Sequence, residues 1–230
     1  MNQYIFIDFV SDCAYRHIST KILIMSKVSP RQLERYPVYL KLLLFLRSSG
    51  VAFVSAPYIA KELSFSEEQV RKDLQLVTRT SGKPRAGRDV EELIADIQEF
   101  LHYKSLTKAA IAGVGHLGKA LMNYRGFRDF GLEIVCGFDE DPSLIGTSIA
   151  ETPIYAPEQI AEKMKELQID ILILAVPSSS AQQVADAFIR AGIKGIWNFA
   201  PTHIKAPEGI PIENVNLASS FAVLRHQLKN

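Results

Sequence analysis

Lys108-Ala109-Ala110-Ile111-Ala112 runs directly into Gly113-Val114-Gly115-His116-Leu117-Gly118 and a helical stretch through Tyr124. That order of apolar strand, glycine loop and helix decides the fold of the second half of the chain. Gly113 permits the tight turn, Gly115 lets an anion approach the backbone, and Gly118 lets helix and strand pack closely, so that a pyrophosphate can rest on the helix N-terminus. Three spaced glycines are weak evidence alone. Here a second apolar strand, Glu133 to Phe138, ends in Asp139, at the distance expected for a carboxylate that takes adenosine ribose hydroxyls. The acidic run Asp139-Glu140-Asp141 repels a 2′-phosphate and so favours NAD(H) over NADP(H).

Downstream the pattern repeats. Pro157 to Leu167 reads as a helix, Ile169 to Val176 as a buried strand, Ser180 to Ala191 as a helix and Ile193 to Trp197 as a further strand. Alternating strands and helices predict a parallel, doubly wound sheet whose ligand sits at the carboxyl ends of the strands. Pro177, Ser178 and Ser179, with Asn198 to Pro201, then fall near the far end of the ligand. The predicted nucleotide-contacting set is Gly113, Val114, Gly115, His116, Leu117, Gly118, Asp139, Pro177 and Ser178. In the last segment Leu217, Phe221, Leu224 and Leu228 recur at helical spacing, giving an apolar face for the same domain or for a second subunit.

Upstream of the glycine loop the reading changes to short helices. From Arg31 to Arg47 an apolar stripe of Leu33, Tyr36, Leu40, Leu43 and Leu44 marks a first helix, closed by Ser48-Ser49-Gly50. Ser55 caps a second helix with Pro57 in its first turn, and Ser66-Glu67-Glu68-Gln69 has the capping-box form that opens a third. On the third helix Val70, Leu74 and Val77 point inward, leaving Gln69, Arg71, Lys72 and Gln75 outside. That is a helix-turn-helix. Arg71 suits guanine, Gln69 adenine and Lys72 a phosphate. The basic, Gly/Pro-broken stretch Arg79 to Arg88, with Lys83 and Arg85, reads as a wing, and Asp89 with Glu92 caps a connecting helix. The predicted DNA-contacting set is Gln69, Arg71, Lys72, Arg79, Lys83 and Arg85.

Charge divides along the same line. Ser26 to Val90 carries 12 Lys/Arg against 6 Asp/Glu, whereas Glu91 to Asn230 carries 12 against 17, so a total of +1 conceals a basic unit and an acidic one. A basic unit beside an acidic one is expected where only the first meets a phosphate backbone. Cys13 and Cys136 imply no disulfide framework, and the five histidines lack ligand spacing, so no metal is expected. Residues 1–25 lack a basic segment ahead of their apolar stretch and read as neither a signal peptide nor a membrane span; translation is expected to begin at Met25. The expected organisation is an N-terminal extension over 1–25, a winged-helix DNA-binding domain over 26–90, a linker helix with a Rossmann NAD(H)-binding domain over 91–215, and a C-terminal helix over 216–230. The fold class is α/β: an N-terminal winged-helix (helix-turn-helix) domain, a Rossmann-type doubly wound parallel sheet and a C-terminal helix.

Over nearly all of Ser26 to Lys229 the chain resembles the redox-sensing transcriptional repressors of the Rex family. The motifs that carry this are Gln69-Val70-Arg71-Lys72-Asp73-Leu74, Gly113 to Gly118, Asn123-Tyr124 with Gly126-Phe127, Ala175-Val176-Pro177, Asn198-Phe199-Ala200-Pro201 and Asn214-Val215. The resemblance implies a homodimer with an exchanged C-terminal helix that binds a double-stranded, inverted-repeat operator in the NAD+ or free form and releases it when NADH rises. Three positions depart from the family pattern, in which an arginine, a tyrosine and an aspartate form a polar relay: they are Lys41, Arg88 and Asn216 here. The aromatic and glycine residues usual after Leu74 are Gln75-Leu76-Val77-Thr78.

A cytoplasmic repressor without catalytic residues and without a membrane partner is the reading these features favour. One alternative is an NAD-dependent oxidoreductase with a helical appendage, for which His203 and Lys205 follow the last nucleotide-domain strand with no carboxylate placed to orient the histidine. The other is a DNA-binding protein that senses a different nucleotide, such as CoA, or uses its second domain as a dimer scaffold.

Overall fold

The computed structural model describes residues 28–78 and 87–228, in two compact units that divide after Leu101. The expectations for residues 1–25 and for Arg79, Lys83 and Arg85 lie outside the described residues.

The first unit opens with α1 (Pro30–Leu33), where Ser29 Oγ accepts from the Gln32 amide at 3.3 Å, and α2 (Arg35–Ser48). The sequence predicts one continuous helix here. Pro37 has no N–H to offer the Leu33 carbonyl, and the helix is interrupted at Glu34. Tyr36, Tyr39, Leu40, Leu43 and Leu46 form the buried face of α2. Strand β1 (Phe53–Val54) follows, and then α3 (Ala56–Leu63), capped by Ser55 Oγ on the Tyr58 amide at 3.3 Å. Ser64, in the left-handed region at φ 55°, turns the chain into α4 (Glu67–Val77). On α4, Val70, Leu74 and Val77 are buried as predicted. Strand β2 (Arg88–Asp89) returns antiparallel to β1, pairing Phe53 with Asp89 and Val54 with Arg88. Gly87 precedes it at φ +82°, where a side chain would run into the Val54 carbonyl. Asp89 Oδ1 then accepts from the amides of Glu91 and Glu92 at 2.9 and 3.1 Å and starts α5 (Val90–Phe100). This helix packs within the first unit, burying Val90, Leu93, Ile94 and Ile97 and setting the Phe100 ring 5.0 Å from that of Tyr36.

The second unit is built on a seven-stranded sheet. In chain order its elements are β3 (Thr107–Ala112), α6 (His116–Asn123), a 3-10 turn (Arg125–Phe130), β4 (Leu132–Phe138), β5 (Ser148–Ile149), β6 (Thr152–Tyr155), α7 (Ile160–Leu167), β7 (Ile171–Leu174), α8 (Ser178–Arg190), β8 (Gly195–Asn198), β9 (Ile212–Asn214) and α9 (Leu217–Gln227). The strands lie in the order β5-β6-β4-β3-β7-β8-β9, parallel throughout except for the β5-β6 hairpin edge. Without that edge the six parallel strands have the doubly wound order of dinucleotide-binding folds, reversing direction between β3 and β7. Cys136, Phe138, Leu172, Leu174, Ala181, Ala185 and Phe188 belong to one core cluster, and Ala109, Ile111, Val114, Met122, Ile154 and Ile173 to another. Burial pushes the Cys136 thiol up to about 12. On α9, by contrast, Phe221 and Leu224 are 62% and 53% exposed, as is Leu228 beyond it at 78%. No helix among the described residues is long and apolar enough to cross a membrane.

The glycine loop sets the tightest steric condition in this unit. A Cβ on Gly118 would overlap the Gly113 carbonyl oxygen, and one on Gly113, at φ +92°, would lie 2.6 Å from the carbonyl oxygen of Ala175. Gly118→Ala therefore should cost about 1–3 kcal/mol, the usual penalty of forcing an extra carbon into a packed site, and chemical denaturation monitored at Trp197 would measure it.

Candidate functional site

At the carboxyl ends of β3, β4 and β7, where strand order reverses, a crevice of about 580 Å³ opens. Gly113, Gly115 and Leu117 form its glycine-loop wall, Phe138, Asp139 and Glu140 its β4 wall, and Ala175, Val176 and Pro177 its β7 wall. Gly115 differs from its neighbours: an added Cβ would meet nothing within 4 Å. The open space beside bare backbone is where an anion can come close to peptide N–H groups, and a side chain there would occupy it.

Asp139 does more than end a strand. Its Oδ2 accepts from the Val114 amide at 2.6 Å and its Oδ1 from the Asp141 amide at 2.9 Å, which fixes the carboxylate against the glycine loop. Each oxygen keeps capacity for a further donor, so the group can receive two hydroxyls without moving. Val114 itself is fully buried, its side chain in the core and its N–H taken by Asp139. His116 and Leu117 are exposed at the start of α6, and Leu117 lines the crevice; Ser178, exposed in the first turn of α8, lies beside the lining residue Pro177. Residues that the sequence reading did not assign complete the crevice: Gln183, Val184 and Arg190 on α8, with Pro157 and Ile160. They follow from helical periodicity once α8 is placed against β7.

The far rim is held by Asn198, which is 1% exposed. Its Nδ2 donates to the Thr202 carbonyl at 2.8 Å and to Asn214 Oδ1 at 2.9 Å, and its Oδ1 accepts from the Ala200 amide at 3.0 Å. That knot fixes the loop carrying Phe199 and Pro201, both of which line the crevice. His203 is exposed, and Lys205 exchanges two backbone hydrogen bonds with the Gln182 amide side chain.

In the first unit α4 is anchored by a buried acid. Asp73 is 2% exposed and accepts from Arg35 Nε at 2.6 Å, Arg35 Nη2 at 2.8 Å, Gln32 Nε2 at 2.9 Å and Tyr39 Oη at 2.7 Å, while its own carbonyl takes the Tyr36 hydroxyl at 3.0 Å. The hydrogen bond to Asp73 holds the Arg35 guanidinium above its ordinary range, and burial raises both tyrosines, so all these donors stay protonated. Asp73 carries no role among the expectations drawn from the sequence. The signal was present: positions 70, 73, 74 and 77 are one face of the helix, and an acid inside an apolar stripe needs partners.

On the outer side of α4, Arg71 pairs with Glu67 and Lys72 with Glu68, the latter at 2.7 Å, each one turn apart. Pairing with Lys72 lowers the Glu68 carboxyl and raises the lysine. Ser66 Oγ accepts from the Gln69 amide at 3.2 Å, which is the first half of the predicted capping box. The Gln69 side-chain amide lies instead 3.0 Å from Arg35 Nη1, and since a guanidinium has donors only, the amide oxygen is the end that faces it. Of the three departing positions, Lys41 is exposed, Arg88 donates to Thr78 Oγ1 at 2.8 Å, and Asn216 caps α9 through its Oδ1 on the Ser219 amide at 3.0 Å.

Residues 27–75 match the family described as "Putative DNA-binding protein N-terminus", and residues 104–202 that described as "CoA binding domain". The chain is 40% identical over 203 residues to the redox-sensing transcriptional repressor Rex of Bacteroides thetaiotaomicron, covering 88% of this chain and 92% of that protein. It is also 40% identical over 191 residues to the protein of the same name from Treponema denticola, covering 83% and 90%. Among solved structures, RSP, a Rex-family repressor, in complex with beta-NAD+ and operator DNA superposes with a TM-score of 0.79 at 32% identity, covering 87% of this chain and 92% of that one. The complex of RSP with beta-NADH gives 0.78 at 32%, covering 88% and 94%.

Removing the acid at the centre of the α4 anchor isolates its worth. Asp73→Ala leaves Arg35 and Tyr39 facing a lost partner and is expected to destabilise the first unit by about 3 kcal/mol, with Asp73→Asn intermediate. A urea titration followed by circular dichroism would measure the loss.

Proposed function

The chain belongs to the Rex family of redox-sensing transcriptional repressors, and on that premise we propose that it is a cytoplasmic homodimer that binds NAD(H) in the crevice and an inverted-repeat operator through α4. The observation that carries the ligand assignment is the Asp139 carboxylate, locked against the glycine loop with acceptor capacity in reserve. In this reading Asp139 receives the adenosine ribose hydroxyls, the open backbone at Gly115 and the start of α6 at His116 and Leu117 receive the pyrophosphate, and Gly113 and Gly118 keep the loop closed. Val114 acts by donating to Asp139, not to the ligand. Pro177 and Ser178 lie toward the nicotinamide end. Three consecutive acids from Asp139 to Asp141 disfavour the 2′-phosphate of NADP(H).

The exposed apolar side chains of α9 support a second copy of the chain as the partner that covers them, with the helix exchanged between subunits. Dimerisation then supplies two α4 helices for two half-sites. Arg71 and Lys72 must leave Glu67 and Glu68 to meet a base edge and a phosphate. Arg79, Lys83 and Arg85 supply further backbone contacts in this reading. NADH, when bound, contributes only the difference between its affinities for the DNA-binding and the released arrangements. A near-complete swing in population needs about 5.5 kcal/mol of such difference. Lys41, Arg88 and Asn216 do not reproduce an arginine, tyrosine and aspartate relay, and weaker coupling, or a response to another nucleotide, is the expected consequence.

No catalytic role is assigned. Hydride chemistry needs a positioned proton donor, and both His203 and Lys205 are exposed, with no side-chain hydrogen bond among the described contacts that orients either. The CoA alternative draws on the name of the matching domain family; relatives at about a third identity whose complexes hold NAD+ and NADH favour the dinucleotide.

Band shifts of the full-length dimer on an operator duplex should show binding with NAD+ and release with NADH, and equal affinity in both would refute redox sensing. Calorimetry should give NADH heat that Asp139→Ala removes, with CoA silent. On the DNA side, Arg71→Ala is expected to cost about 1–3 kcal/mol and relax base preference, whereas Lys72→Ala should weaken binding to all sequences alike and flatten the salt dependence.

A further inference from the structure

Gln69 occupies the first turn of α4, half-buried, where a helix-turn-helix presents its reading side chains. A glutamine that recognises adenine uses both ends of its amide, the NH2 to N7 and the oxygen to N6. Its side-chain amide lies 3.0 Å from Arg35 Nη1, and because a guanidinium only donates, the end that faces it is the oxygen. Arg35 is not free to give it up. The same guanidinium forms two bonds to Asp73, whose 2% exposure leaves it no water to replace them. Tyr39 and Gln32 hold Asp73 in turn. The Gln69 oxygen is thus fixed by a residue of another helix, and only the NH2 donors remain for a ligand.

We propose that Arg35 sets the base preference of the reading helix by holding the Gln69 amide oxygen, so that Gln69 meets DNA as a donor alone. This rests on the assignment of α4 as the DNA-reading element. A pure donor selects a base edge made of acceptors. Guanine offers O6 and N7, thymine offers O4, while cytosine and adenine place a competing N–H2 in the same groove. The consequence is a guanine, or secondarily a thymine, at the operator position facing Gln69, and not the adenine that a free glutamine would choose. Arg35 touches no base in this scheme. It is a positioning residue, and Gln69 is the specificity determinant.

Selection of binding sites from a pool of randomised DNA duplexes by the full-length protein with NAD+, followed by affinity measurements on the recovered site, tests this. Wild type should prefer guanine over cytosine and adenine at one position of each half-site by about threefold to tenfold, the range of a single hydrogen bond. Gln69→Glu keeps an oxygen for Arg35 and presents the other to DNA, so the same position should switch to cytosine, whose N4 donates; Gln69→Leu should leave it indifferent. Arg35→Lys keeps the charge beside Asp73 and removes the planar fork, so preference at that position should relax toward adenine while the others hold. A general loss of folding would instead weaken every position together. Adenine at the Gln69 position in wild type, or one unchanged motif in all four proteins, overturns the proposal while leaving DNA reading by α4 intact. Recovery of no motif by any of them would sink the assignment of α4 itself, and the proposal with it.

Discussion

A carboxylate taken out of water has to be met by donors on every side, and Asp73 imposes that condition on the whole first unit. Its partners come from α1, from two turns of α2 and from the backbone geometry of α4 itself. None of these bonds survives if α4 slides or rotates by one residue, so the orientation of the outward face is dictated from inside. Apolar packing of Val70, Leu74 and Val77 would tolerate small shifts; a bidentate pair does not. The pair need not make the domain more stable than an apolar core would. Its effect is to make one arrangement of the helices far better than its neighbours.

The second unit reaches the same end with shape. Gly113 and Gly118 sit where no Cβ fits, Gly115 where a Cβ would fill working space, and Asp139 bonds across the loop to Val114. The strand order brings β3 and β7 together at the point of reversal, and the loop closes against the Ala175 carbonyl on one side and Asp139 on the other. The contacts that hold this loop are all made by the chain itself, so a ligand need not supply them.

Much of this was legible in the residues. Ser55, Ser66 and Asp89 cap the helices they were expected to cap, the stripe on α4 is buried as read, and the strand-loop-helix around Gly113 to Gly118 forms with Asp139 beside it. The strands β6 and β9 escaped notice because they are four and three residues long, one containing Pro153 and the other Glu213 and Asn214, too short for alternation to show. The break at Glu34 was hidden by an unbroken apolar stripe, although Pro37 announced it. Long-range polar contacts escaped for a deeper reason. Arg35 and Asp73 are 38 residues apart, and no local period links them. What a sequence can signal is the anomaly, an acid on an apolar face, and not its partner. The same limit applies to Gln69, expected in a capping box or on adenine, whose side-chain amide lies against Arg35 instead.

Cys136 lies on β4, wholly enclosed between β3 and β6, its thiol pushed up to about 12. Only the thiolate attacks peroxide, and at neutral pH a group so displaced holds almost none of it. Enclosure and the raised thiol together deny peroxide and disulfides a reactive sulfur at Cys136. A redox signal that acts on this unit therefore does not enter through Cys136.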